Sequence, residues 1–264
     1  MDLQLQGRRA LVSGSTAGIG FAIAESLARE GASVIINGRS TARVEAAANK
    51  IRQSGAKGEV KTIAADLSTQ IDVDGVLRQF PVVDILVNNL GIYQPKPFEQ
   101  ITDEEWLEIF QVNVLSGIRL SRAYLPGMKR QNWGRIIFIS SESAINIPVE
   151  MIHYGMTKTA QLAISRGLAE TTAGTGVTVN AVLPGPTRSE GVEEFVEAMA
   201  KANQTDVASV ETEFFKSVRP SSLLKRFATP EEVAAMVTFV ASPLSAATNG
   251  AALRVDGGVV RSIV

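Results

Sequence analysis

Apolar strands alternating with helical stretches constrain this chain more than any other feature of it. Ala10-Leu11-Val12 runs through glycines into a helical stretch from Ile19 to Glu30, which Gly31 closes. Ser33-Val34-Ile35-Ile36-Asn37 reads as the next strand, followed by a helix over 41–54, a strand over 59–65 and a helix near 70–80. Val83-Asp84-Ile85-Leu86-Val87 is a fourth strand, and Thr102-Asp103-Glu104-Glu105 opens a long helix with a capping-box pattern. The series continues with Arg135-Ile136-Ile137-Phe138-Ile139, a helix over 151–173, Val177-Thr178-Val179-Asn180-Ala181-Val182 and a last strand at Leu253-Arg254-Val255. Strands that are apolar throughout belong to a parallel sheet covered by helices on both faces. Right-handed crossovers then predict a doubly wound α/β fold, a single domain of about seven strands. Ligands in this architecture sit beyond the carboxyl ends of the strands.

Composition removes several kinds of chemistry. The chain contains no cysteine, which excludes disulfides and thiolate metal sites. His153 is the only histidine, so a two-histidine metal site is excluded as well. With 26 basic and 27 acidic residues the net charge is -1, which offers no footprint for a nucleic-acid backbone. The opening Met1-Asp2-Leu3-Gln4-Leu5-Gln6 is too polar for a signal peptide, and no run of about 18 apolar residues is present. The expectation is a cytoplasmic protein with no membrane partner.

Ser13-Gly14-Ser15-Thr16-Ala17-Gly18-Ile19-Gly20 joins the first strand to the first helix. Glycines there allow a tight turn and a close approach of backbone to phosphate, and the helix N-terminus offers unpaired N–H groups to a pyrophosphate. The other reading is a glycine turn without a ligand. The second strand ends in Asn37-Gly38-Arg39-Ser40, with Gly38 where a carboxylate would grip the ribose 2′-hydroxyl of NAD. Arg39 can fork onto the 2′-phosphate of NADP, with Ser40 as an added donor, so NADP(H) is predicted over NAD(H). The competing reading is a solvated arginine at a helix start.

Tyr154 and Lys158 stand four residues apart at a helix start, on one helical face. A phenol is a poor acid–base group at neutral pH until something stabilises phenolate, and a nearby ammonium does so. Taken alone the pair also reads as a packed tyrosine beside a surface lysine. Its position after the fifth strand, together with the glycine loop, Asn88-Asn89-Leu90-Gly91 and Pro184-Gly185, resembles the short-chain dehydrogenase/reductase family over about Leu5 to Gly258. Asn113 and Ser141 also match that family's catalytic positions.

The resemblance implies a Rossmann fold and a nicotinamide-dependent oxidoreductase acting on a small alcohol or carbonyl. It implies that Tyr154 exchanges the proton, Ser141 polarises the substrate oxygen, Lys158 lowers the tyrosine pKa and binds the nicotinamide ribose, and Asn113 holds a relay water. Asp66 with Leu67 would meet the adenine, Asn88 and Gly91 the adenosine ribose, and Pro184, Gly185, Thr187 (through its backbone) and Ser189 the carboxamide. Two positions depart from the family pattern. Leu90 replaces an alanine and would press on the cleft or the sheet, and Ala17 replaces a basic residue, which leaves Arg39 to carry NADP specificity. A homotetramer is implied, or a homodimer, with the helices over 102–131 and 151–173 at one interface. A cofactor-binding redox sensor without turnover, and lyase or epimerase chemistry, are the other functions this scaffold allows.

Pro186 to Ala228 breaks the strand–helix rhythm, and 188–226 is read as a substrate lid within the single domain. Phe214, Phe215 and Met199 either line a pocket or pin the lid. Arg219, Lys225 and Arg226 either attract an acidic substrate or keep the lid soluble. Glu142 reads as a solvated loop acid, His153 as a packing or rim residue, and Asn203-Gln204-Thr205 matches a glycosylation pattern.

Overall fold

The structure is a computed structural model that describes residues 1–202 and 204–263, so the Asn203-Gln204-Thr205 pattern begins outside the described residues. The seven strands are β1 (Arg9–Val12), β2 (Ser33–Gly38), β3 (Val60–Ala64), β4 (Ile85–Asn88), β5 (Gly134–Ile139), β6 (Val177–Pro184) and β7 (Ala252–Val255). They form one parallel sheet in the order β3-β2-β1-β4-β5-β6-β7. The helices are α1 (Gly18–Arg29), α2 (Thr41–Gln53), α3 (Gln70–Gln79), α4 (Asp103–Phe110), α5 (Ser116–Arg130), α6 (Ile152–Glu170), α7 (Glu190–Ala202), α8 (Val207–Glu213) and α9 (Pro230–Ala241). A capping box at Thr102 with Glu105 starts α4 as its sequence predicts, and a second at Thr229 with Glu232 starts α9.

Alternation along each strand sends side chains to two cores. Ala10, Val12, Val34, Ile36 and Val87 pack on one face with Ile23 and Leu27 of α1 and Val233 and Val237 of α9. Leu11, Ile35, Leu86, Ile136 and Phe138 pack on the other with Val76 of α3 and Leu120 and Tyr124 of α5. A third, smaller cluster lies entirely in the irregular segment: Val196, Ala200, Val210, Phe215 and Phe227, with Phe214 against it. Phe214, Phe215 and Phe227 stack pairwise at 5.1 Å between ring centres. Phe214 and Phe215 therefore pin this segment's own core rather than line a pocket. Met199 stays on its exposed side.

The ends of β1 and β4 away from the loops are tied by an ion pair. Asp84 Oδ2 accepts from the Arg9 backbone N–H (2.9 Å) and from Arg9 Nε (2.8 Å), while Oδ1 accepts from Arg9 Nη2 (2.9 Å) and Gln131 Nε2 (3.1 Å). Burial pushes the Asp84 carboxyl up, but the hydrogen bonds from Arg9 and Gln131 outweigh it and hold the group below its ordinary value. Its stabilisation is therefore full above the unfolded carboxyl value and is lost as pH falls through the lower, folded value. Because Arg9 is nearly half exposed, Asp84→Asn is expected to lose only about 1 to 2 kcal/mol at neutral pH. At this chain length that is a fall in Tm of roughly 2 to 8 °C, shrinking as the pH of the melt is taken to strong acid.

Candidate active site

The strand order turns outward on either side of the β1–β4 boundary, and the loops leaving those strands diverge there. Two serines and two asparagines hold that opening. Ser13 Oγ accepts from the backbone N–H of Asn89 and of Leu90, both at 2.9 Å. Asn89 Nδ2 donates to the carbonyls of Ser13 and Gly14, both at 3.0 Å. Ser15 Oγ accepts from the Asn37 N–H (2.9 Å) and donates to the Val12 carbonyl (2.7 Å), and Asn37 Oδ1 accepts from the Gly14 N–H (3.2 Å). Ser15 is fully buried, so its hydroxyl shapes the loop, and any contact it makes with a ligand runs through its backbone.

The glycines of the loop are required by space and by backbone. Gly14 and Gly18 have φ of 61° and 55°. A Cβ on Gly20 would stand 2.4 Å from Asn89 Nδ2 and 2.5 Å from the Gly14 carbonyl oxygen. Ala17 caps α1 without a side-chain hydrogen bond, and no acidic residue lies in the first turn, so no internal acceptor side chain takes up the N–H groups at Gly18, Ile19 and Gly20. A cradle of this kind fits a pyrophosphate. Gly38 is also fixed by space, since a Cβ there would approach Thr16 Cγ2 to 2.6 Å. Arg39 beside it is exposed, and Ser40 caps α2 by accepting from the Arg43 N–H. The residues present thus fit a dinucleotide at this edge.

Asp66 and Leu67 follow β3: Asp66 Oδ1 accepts from the Ser68 N–H (3.0 Å), and the Leu67 side chain lies in the sheet core. Asn88 differs from its expected place. Its side chain is buried beneath α5, with Nδ2 donating to Ser121 Oγ (3.1 Å), which leaves only the backbone for a ribose. Leu90 reaches across the cleft floor, its Cδ1 3.4 Å from where a Gly14 Cβ would be, and packs onto the sheet core.

Beyond β5 and β6 the remaining residues converge. Lys158 is 4% exposed, with Nζ donating to the Ile139 carbonyl (2.9 Å) and lying 5.5 Å from the centre of the Tyr154 ring. A Cβ on Gly91 would lie 3.4 Å from Lys158 Nζ and 3.5 Å from Asn113 Oδ1, so these three residues meet at one point. Asn113 sits in a π-helical turn, Gln111–Leu115, between α4 and α5. Its side chain is fully engaged: Oδ1 accepts from the Ile92 N–H (2.7 Å), and Nδ2 donates to the Ile92 carbonyl (2.9 Å) and to Thr157 Oγ1 (3.0 Å). The Asn113 carbonyl accepts from Gln161 Nε2 (2.6 Å). The Asn113 side chain thus pins the loop after β4.

Burial pushes the Tyr154 phenol up to about 12, with a hydrogen bond to Ser141 pulling the other way and the charge of Glu142 adding to the rise. Burial also brings Lys158 down to about 8. At neutral pH the site thus holds a protonated phenol beside an ammonium. Thr187 Oγ1 donates to the Gly185 carbonyl (2.9 Å), and its backbone pairs with Ala228. Gly185 follows Pro184 and packs on Asp256, whose carbonyl oxygen would stand 2.5 Å from a Cβ there. Ser189 Cβ lies 3.3 Å from where a Gly18 Cβ would be, which sets the segment after β6 against the glycine loop.

Two features were not anticipated. Tyr93 lies edge-on to Tyr154 at 6.0 Å between ring centres, with its hydroxyl 3.5 Å from where a Gly191 Cβ would be, and so links the phenol to α7. No pattern in the sequence marks it. Glu142, expected to be solvated, is buried and paired with Arg219 (2.9 Å), and Arg219 is neither a substrate lure nor a solubilising charge. His153 is buried against Trp106 at 5.7 Å, a packing residue as its helical position implies.

This geometry has relatives. The family model described as enoyl-(acyl carrier protein) reductase matches residues 14–260. The chain is a short-chain dehydrogenase/reductase. It is 50% identical over 263 residues to the Bacillus subtilis oxidoreductase YvaG, covering all of both chains, and 36% identical over 260 residues to D-beta-hydroxybutyrate dehydrogenase of Cupriavidus necator, covering 97% and 99%. L-sorbose reductase from Gluconobacter frateurii, crystallised with NADPH and L-sorbose, superposes with a TM-score of 0.93 at 30% identity over the whole of both chains. The family is one of NAD(P)-using oxidoreductases. Among the described residues no helix is long and apolar enough to cross a membrane, and no group of three or more histidine, aspartate or glutamate side chains could hold a metal ion.

The loop packing makes a direct prediction. Gly20→Ala is expected to push Asn89 and Gly14 apart and to weaken NADPH binding by at least about tenfold, whereas Gly167→Ala, whose Cβ would meet nothing within 4 Å, leaves binding unchanged. Isothermal titration calorimetry on both variants tests it.

Proposed function

We propose that the protein interconverts an alcohol and a carbonyl with NADP(H), with Tyr154 as the proton-transfer group. The observation that carries this reading is the convergence of Tyr154, Ser141 and Lys158 at the carboxyl end of β5, opposite the uncapped start of α1. When bound, NADPH supplies the hydride. Gly14, Thr16, Gly18, Ile19 and Gly20 would hold its pyrophosphate, Asp66 and Leu67 its adenine, Asn88 and Gly91 its ribose, and Pro184, Gly185, Thr187 and Ser189 its carboxamide. Arg39 and Ser40 would take the 2′-phosphate, since the guanidinium is exposed and Gly38 leaves no carboxylate to repel it.

Each residue then has a physical task. Ser141 donates a hydrogen bond to the substrate oxygen and draws charge onto it. The Tyr154 phenol, held protonated by burial, gives its proton to the oxygen as negative charge develops there. Lys158 stands behind the phenol as ammonium and offsets the negative charge left on it. Oxidation runs the same steps in reverse. The presence of all the proton-transfer groups favours turnover over a sensing role.

Tyr154→Phe removes the proton and keeps the ring, so kcat for NADPH-dependent reduction is expected to fall by about 10²- to 10⁴-fold with NADPH affinity unchanged. The assay follows NADPH absorbance against a panel of ketoses, 3-oxoacyl thioesters and small ketones, and a variant that keeps full activity would refute the mechanism. Arg39→Ala is expected to weaken NADPH binding by roughly 10- to 100-fold while NADH binding stays within about twofold. Equal losses on both cofactors would remove Arg39 from the 2′-phosphate.

A further inference from the structure

Glu142 directly follows Ser141 and is 3% exposed. Its Oε1 accepts from Arg219 Nε at 2.9 Å and from Ser143 Oγ at 3.4 Å, while Oε2 is buried with no hydrogen-bond partner among the described residues. Arg219 comes from the opposite side of the site, just beyond the π-helical turn Phe214–Val218 that ends the lid helices. It is 9% exposed, donates from Nη1 to the Val218 carbonyl (3.0 Å), and places that nitrogen 3.6 Å from Glu150 Oε1. Withdrawing two charges from water to this depth is unfavourable unless their attraction repays it, and an apolar pair would fasten the lid as well. Lid seating alone therefore does not account for the charges.

Their surroundings suggest what does. The turn that carries Glu142 packs on the start of α6, where the Ser143 carbonyl would stand 3.1 Å from a Cβ on Gly155, next to Tyr154, and the Ala144 carbonyl accepts from Thr159 Oγ1 (2.8 Å). The charged and titratable groups about Tyr154 are Glu142, Tyr93 and Lys158, with Ser141 beside it. Arg219, Ser143 and Asp256 face Glu142, and Glu142 and Glu150 face Arg219. The Glu142 carboxylate thus sits within electrostatic reach of the phenol, where it opposes phenolate, and Arg219 is the cation paired with it.

We propose that Arg219 is a positioning residue for the proton-transfer tyrosine: from the base of the lid, its guanidinium seats Glu142 beside Ser141 and offsets that carboxylate's negative field at Tyr154. The inference rests on the reading of Tyr154 as the proton-transfer group.

The test reads Tyr154 ionisation without needing a substrate. Phenolate absorbance is recorded after rapid alkaline mixing, before unfolding, and the trace of the matching Tyr154→Phe protein is subtracted on each background. Glu142→Gln is expected to lower the midpoint by about one pH unit from its native position, and Arg219→Met to raise it by a similar amount. Arg219→Lys, which keeps the charge, should titrate within about 0.3 pH unit of the native protein. The Glu142→Gln, Arg219→Met double variant should follow Glu142→Gln. Should Arg219→Met fail to fold, Arg219→Gln takes its place, with the same rise expected. An unmoved or raised midpoint in Glu142→Gln, or shifts of the same sign in both single variants, overturns the proposal, because a merely structural pair cannot move the phenol in opposite directions. Turnover on the substrate panel is scored separately. Its absence in the native protein would count against the proposed function and leave the titration result standing.

Discussion

A clamp of buried hydroxyls and amides where β1 and β4 part underlies the rest of this structure. Ser13 and Ser15 lie just past β1, Asn37 in β2 and Asn89 just past β4, and all four hold the glycine loop by hydrogen bonds of 2.7 to 3.2 Å. Buried polar groups are costly when unpaired and rigid when fully paired, so a satisfied network is well suited to fix a loop made largely of glycine. It lets the backbone N–H groups at the start of α1 remain free of internal partners. The opposite ends of the same strands are held by Arg9 and Asp84, which leaves the crevice as the place where the sheet is open.

Tyr154 and Lys158, the pair we propose for proton transfer, are shifted chiefly by burial. Lys158 and Tyr154 both lose water, which brings the ammonium down to about 8 and the phenol up to about 12. Burial thereby favours the protonated phenol and works against the ammonium, whose value of about 8 still lies above neutral pH. Around them the structure distributes compensating contacts. Ser141 hydrogen-bonds the phenol, the Ile139 carbonyl accepts from the ammonium, and Arg219 answers Glu142. Asn113 joins this set indirectly, since its side chain clamps Ile92 and so determines how Tyr93 approaches the phenol.

The segment that breaks the strand–helix rhythm behaves as a unit of its own. α7, α8 and Phe227 build a small apolar cluster that does not merge with either sheet core, and charged contacts attach its edges. Arg43 reaches Glu190 at its start (2.6 Å), Arg188 pairs with Glu211 within it, and Arg219 pairs with Glu142 at its end. Exposed pairs such as Arg43 with Glu190 contribute little, whereas the buried one ties the segment to the residue after Ser141.

Periodicity and punctuation by themselves determined the elements and the places where chemistry sits. Apolar runs alternating with helical stretches, closed by Gly31 and opened by Thr102 and Thr229, specify a parallel sheet, because each signal depends only on near neighbours in the chain. The glycine loop, Arg39 and the Tyr154–Lys158 spacing were legible for the same reason. What only the tertiary structure decided are contacts between residues far apart in sequence. Glu142 read as a loop acid because nothing local marks Arg219, 77 positions away, as its partner. The Asn88 side chain turned beneath α5, where Nδ2 meets Ser121, and the Asn113 side chain bound Ile92, because packing brought partners from distant positions to them. Tyr93 carries no motif, and its place beside Tyr154 follows from where α6 and the β4 loop meet. A side chain's partner is chosen by the three-dimensional arrangement, and only its chemical capacity is written along the chain.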